Sequence, residues 1–176
     1  MAGLKSNKER SEEAEKLIKD ITKMSVDTPF ELPDLTKTAN MLMGYGVGKD
    51  DIIQTMTQLG DLSAGNADKL NRISLAYGQM LAKGKVTGEE LRQMTEAGVP
   101  LLNALAETLN VSTAELQNMI SKGQVGIPEL NQTIEALTSN GGKFGGMMAE
   151  QAQTMNGMLS TLRDNMSQFG RDVGAD

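Results

Sequence analysis

The chain of 176 residues contains no cysteine, no histidine and no tryptophan, and these absences remove a great deal of chemistry. Without cysteine there is no disulfide, no thiolate nucleophile and no Cys-ligated zinc. Without histidine the commonest general base and the commonest transition-metal ligand are gone. Aromatic residues make up only 3%, so Leu, Ile, Val, Ala and thirteen Met must fill the core, which makes it adaptable rather than jigsaw-tight. Positive charge is also short. The net charge is −6, and no cluster of Lys and Arg is present to neutralise a phosphate backbone, so direct nucleic-acid binding is not expected. The first ten residues lack the apolar centre of a signal peptide, and no run of about 18 apolar residues could cross a membrane. The expectation is a soluble, unexported chain whose length suits one domain, or one domain with an extended arm.

What the chain does have is dense helix punctuation. Ala14, Leu17, Ile18, Ile21 and Met24 recur at helical spacing, which predicts an amphipathic helix from about Ser11 to Met24. Pro29 and Pro33 make residues 27–33 a loop, and Pro33 suits the first turn of a helix running through Leu35, Ala39 and Leu42 to a stop at Gly44. Asp50 and Asp51 favour the start of the next helix, whose stripe is Ile52, Met56 and Leu59. After a break around Gly65, Leu70, Ile73, Leu75, Ala76, Met80 and Leu81 form a helix ending at Gly84. Thr87 and Glu90 are spaced as a capping box, with Val86 and Leu91 as its staple. Gly98 is placed for a left-handed stop with Val99 folding back onto Met94, and Pro100 restarts a helix.

Part of this punctuation is duplicated. Met80 to Val86 returns as Met119 to Val125, and Glu90 to Gln93 as Glu129 to Gln132, always 39 residues on. Between the copies, Val111 to Leu116 repeats the staple and capping box once more. Repeated helix-turn-helix units stack to hide an apolar face, which allows a short solenoid; two similar corners in one irregular bundle fit equally well. The C-terminal segment behaves differently. Met148, Ala152, Met155, Leu159, Leu162, Met166, Phe169 and Val173 alternate steps of four and three, a heptad seam that predicts a long helix able to self-associate as a coiled coil, or else to lie along the bundle. The glycines from Gly141 to Gly146 then read as a hinge.

Several short patterns fail as sites. The glycines around Lys143 have neither the preceding strand nor the Gly-Lys-Ser/Thr of a P-loop. Gly44, Gly46 and Gly48 lack the spacing of a dinucleotide fingerprint. Asp61 to Asn66 resembles the opening of a calcium loop without its later oxygen ligands. The pairs Asp50-Asp51 and Glu89-Glu90 are adjacent acids at helix starts, whereas two catalytic carboxylates must face each other across a substrate. No enzyme activity, metal or cofactor is expected.

The expected fold class is all-α: an irregular multi-helix bundle of short Gly-terminated helices followed by a long C-terminal helix. Its parts would be an N-terminal amphipathic helix (1–26), a helical domain with the internal duplication (27–140), and a Gly-rich hinge with the heptad-like helix (141–176). The run from Gly84 to Pro100, with Thr28 to Leu35 and the segment from Gly44-Tyr45-Gly46-Val47 to Leu59-Gly60-Asp61, resembles the helical domain of tape measure proteins of long-tailed bacteriophages and prophages. The resemblance covers roughly Ser11 to Gly170. It implies a virion structural protein that sits in the tail-tube lumen, sets tail length during assembly in the host cytoplasm, and leaves ahead of the DNA at infection. Tail tube, tail assembly chaperone and tail tip proteins are the implied partners, and a homo-oligomer is possible on the same ground. A continuous helix of 176 residues would span only roughly 260 Å at about 1.5 Å per residue, and the Gly and Pro stops forbid even that. A folded portion of such a protein is therefore expected, or a small relative, and not the measuring segment itself. The alternative is a helical adaptor binding a partner helix in a Met-lined groove.

Overall fold

The computed structural model describes residues 7–173, and among these every regular element is a helix. In chain order they are α1 (Asn7–Asp27), α2 (Leu32–Gly44), α3 (Ile52–Leu62), α4 (Ala67–Lys83), α5 (Gly88–Glu96), α6 (Leu101–Leu109), α7 (Thr113–Ser121), α8 (Ile127–Thr138) and α9 (Met147–Val173). α3 is central, packing against α2, α4, α8 and α9, while α6 gathers α5, α7 and α8. One continuous core joins them, with Leu42, Ile52, Leu59, Ile73, Met80 and Leu105 fully buried. Met24, Met56, Met80, Met94 and Met148 also lie inside, as a core poor in aromatics requires. α1 joins the core through Ile21 and Met24, whereas Ile18 faces solvent because α1 packs on α2 through its later turns.

The helix ends form where local sequence places them. After α5, the Gly98 N–H donates to the Thr95 carbonyl and the Val99 N–H to the Met94 carbonyl, both at 2.9 Å, which is the Schellman stop. α2 ends at Gly44, but its left-handed residue is Gly46, and the Val47 N–H returns to the Leu42 carbonyl at 3.0 Å. Asn110 closes α6 in the left-handed conformation. Ser112 then caps α7 by accepting from the Glu115 N–H at 3.2 Å.

The capping box expected at Thr87 and Glu90 does not form. Thr87 donates its hydroxyl to the Glu90 carboxylate, whose other oxygen accepts from Lys83 Nζ at 2.6 Å. Lys83 ends α4 beside this turn, and a charge-assisted bond to it outcompetes a neutral backbone N–H. Burial of Glu90 works against its charge, but Lys83, Thr87 and the residue's own backbone N–H outweigh it and hold the carboxyl below its ordinary range. In the second copy the return bond is made: the Glu129 carboxylate accepts from the Gly126 N–H at 2.9 Å.

The duplication resolves as two corners facing each other. Gly84 and Gly123 close α4 and α7 at φ 68° and 67°, each donating to the carbonyl three residues back. Only glycine takes that conformation without a Cβ penalty. Lys85 then stands opposite Gly126 in an isolated antiparallel bridge, and the Val86 N–H donates to the Val125 carbonyl at 2.9 Å. Val86 and Val125 are repeat mates, and both are fully buried. Translational stacking would bring equivalent segments together in the same direction, so their antiparallel meeting requires an approximate local two-fold and sets the solenoid aside. The corners then diverge: α4 packs along α5, whereas α8 leaves α7 to pack on α3 and α6.

Candidate functional site

The segment between α8 and α9 is wound tightly. The Phe144 N–H donates to the Leu137 carbonyl at 2.8 Å and the Phe144 ring is buried. A Cβ on Gly142 would stand 2.4 Å from the Ala136 carbonyl oxygen, and one on Gly145 would stand 2.2 Å from that of Ser139. These glycines therefore let backbone lie on backbone. α9 then roots on α3. Asp61 Oδ1 accepts from the Met148 N–H at 3.0 Å and Oδ2 from the Gly146 N–H at 3.4 Å, so a carboxylate from a distant helix caps α9. Burial pushes the Asp61 carboxyl above its ordinary range, and the two N–H donors oppose that shift without cancelling it. Beside it, Met148 lies on the α3 backbone at Gly60, where a Cβ would stand 2.7 Å from the sulfur.

The eight seam positions therefore split. Met148 is a core residue at 7% exposure and Ala152 is half-buried. From there exposure climbs: Met155 42%, Leu159 49%, Leu162 55% and Met166 68%. Met158, outside the heptad series, is exposed at 67% and widens the stripe. Phe169 and Val173 lie on α9, but their side chains fall outside the described residues.

Two cavities are built on repeat mates, Leu81 and Asn131 in one and Ile120 and Arg92 in the other. One, about 300 Å³, lies between Leu81 of α4 and Asn131 of α8 and is bordered by Asp51, Gln54 and Thr55 at the start of α3. Tyr77 enters it, its hydroxyl donating to Asn131 Oδ1 at 3.0 Å. Burial foremost, and then the charge of Asp51, raise the Tyr77 hydroxyl above its ordinary range, against the bond to Asn131. The other, about 620 Å³, lies between Ile120 of α7 and Arg92 of α5, with Leu91 and Leu102 on its floor and Lys85 at its rim. No residue of α3 or α9 lines it. Asp61 and this groove were missed by sequence reasoning. Among the described residues no group of three or more acidic or metal-ligating side chains is placed to hold a metal ion.

Among the described residues the fold is all-helical, and its most exposed apolar features are the α9 stripe and the part-apolar groove between α5, α6 and α7. A family model described as Tape measure protein matches residues 2–175, so the chain belongs to the tape measure protein family. It is 26% identical over 167 residues to the tape measure protein of Lactococcus phage F4-1, covering 88% of this chain and 41% of that protein. It is also 26% identical over 153 residues to a probable tape measure protein of Lactococcus phage p2, covering 82% of this chain and 15% of the relative. With a probable tape measure protein of Escherichia phage Mu the identity is 22% over 146 residues, covering 81% of this chain and 21% of the relative. The chain thus spans less than half the length of these relatives. No solved structure matches it. The adaptor alternative finds no support in these relatives, and no methionine lines the groove between α5, α6 and α7.

Proposed function

We propose that this chain is a folded, non-measuring portion of a phage tail tape measure, placed in the tail-tube lumen of the virion, present in the host cytoplasm during assembly, and released at DNA ejection. The observation that carries this reading is the family match across residues 2–175 on a chain whose longest helix among the described residues has 27 residues. Such a helix spans about 40 Å, which suits an anchoring or assembly element rather than a ruler. The role is structural, without catalysis. Its partners are the tail tube, the tail assembly chaperone and the tail tip proteins, and the α9 stripe is the surface for association with further copies. No helix among the described residues is long and apolar enough to cross a membrane, so the reading assigns no membrane span to this portion.

Purified tails of the phage or prophage that encodes the chain provide the test. The chain should be found in them by mass spectrometry, protected from external protease before DNA ejection and lost afterwards. Its absence from intact tails would sink the proposal.

A further inference from the structure

The cavity of about 300 Å³ between α3, α4 and α8 carries negative charge with no cation to balance it. Asp51 enters it from the start of α3 and Glu135 from the last turn of α8, and no Lys or Arg lines it. Asp51 makes no cap hydrogen bond to its own helix. Among the described residues neither carboxylate has an ion-pair partner. The last turn of α8 holds no basic residue, so the negative end of its macrodipole adds to the charge of Glu135.

A buried hydroxyl in the same cavity is also without a partner. Thr55, 8% exposed, lines the cavity one turn on from Asp51. Thr57, Thr95, Thr108, Thr133 and Thr138 each donate their hydroxyl to the carbonyl four residues back. Thr55 does not, and its side chain makes no hydrogen bond with any described residue. Its oxygen is not sealed in either. The fully enclosed polar atoms without a partner are Ser74 Oγ and Gln79 Oε1, so the Thr55 hydroxyl keeps accessible surface, and the cavity is the space that Thr55 borders. The Tyr77 hydroxyl already occupies Asn131 Oδ1 at 3.0 Å, which leaves both carboxylates and the Thr55 oxygen as unspent acceptors.

A cation rich in donors suits this arrangement. No three carboxylates converge to hold a metal ion among the described residues. A guanidinium has five N–H donors and no acceptor, and it is more weakly hydrated than an ammonium, so it loses less on entering a half-closed site. Tyr77 supplies an aromatic ring of the kind a guanidinium stacks on, and Val47 and Leu81 offer apolar surface to an alkyl stem. The volume is at the small end for ligand pockets, which suits one such group rather than a larger molecule.

We propose that this cavity binds an alkylguanidinium group, carried by a free small molecule or by an arginine of a partner protein, with Asp51, Glu135 and Thr55 as its acceptors. The site is separate from the α9 stripe and stands whether or not the chain self-associates.

An NMR titration of the full chain tests this, read at the Tyr77 ring, one of two tyrosines in a chain without tryptophan. The probes are butylguanidinium, arginine blocked as its acetyl methylamide, and butylammonium for comparison. Butylguanidinium should give a saturable Tyr77 shift and bind more tightly than butylammonium. Glu135→Gln, at an exposed position, should weaken it at least about tenfold, and Thr55→Val, which removes the hydroxyl, about threefold or more. Should Thr55→Val fail to fold, Glu135→Gln decides alone. Blocked arginine binding as tightly as butylguanidinium assigns the site to a protein's arginine, and its exclusion assigns the site to a free small molecule. A shift that does not saturate, butylammonium binding equally well, or binding left unchanged by either folded variant overturns the proposal.

Discussion

Asp61 and Glu90 are both buried carboxylates, yet they respond to pH with opposite sign. Glu90 is held below its ordinary range, so its stabilisation is present above that range and is lost as pH falls through the lowered value. Asp61 is raised, so the folded state binds its proton more tightly than the unfolded chain does, and stability attributable to it is lost as pH rises from the ordinary range through the raised value. Asp61→Asn keeps an acceptor for the Met148 N–H and removes the buried charge. Urea melts across pH 4 to pH 8 should therefore show wild type gaining on Asp61→Asn as pH falls, and a constant difference would refute the assignment. Asp61→Ala leaves the α9 terminus without its cap and should cost about 0.5–2 kcal/mol.

At the scale of the helix, α9 is two things in one element. Its first turns are pinned by Asp61, Met148 and Gly60, while the stretch from Met155 to Met166 presents apolar side chains to water. An isolated helix of that length is marginal in water, so its stability must come from contact. Hydrogen exchange should find amides of residues 156–166 exchanging at least about tenfold faster than those of residues 148–153 in dilute solution, and slowing as concentration rises. Equal, concentration-independent protection along all of α9 would show instead that the stripe is covered within its own molecule. The sequence makes α9 legible because heptad spacing is local information. It does not reveal where the seam stops being core, since that depends on Gly60 and Phe30, 88 and 118 residues before Met148. The same divide runs through the helix stops. Gly84, Gly98 and Gly123 act as their neighbours dictate, whereas the Thr87 box fails because Lys83, outside the motif, takes the carboxylate. A groove is harder still to read, being a space bounded by three helices rather than a run of residues.

Across the whole molecule, the hydrogen bonds from α9 to Asp61 join residues 85 and 87 positions apart, which orders events in time. A ribosome adding about 5–20 residues per second makes α3 some 4–17 s before it makes the turn that α3 caps. Until that turn is made, neither the Met148 side chain that covers Gly60 nor the N–H groups that bind Asp61 are there. Synthesis of the turn before α9 is thus also the step that closes that face, and a nascent chain halted before Gly146 should expose it to labelling while a chain extended beyond α9 does not.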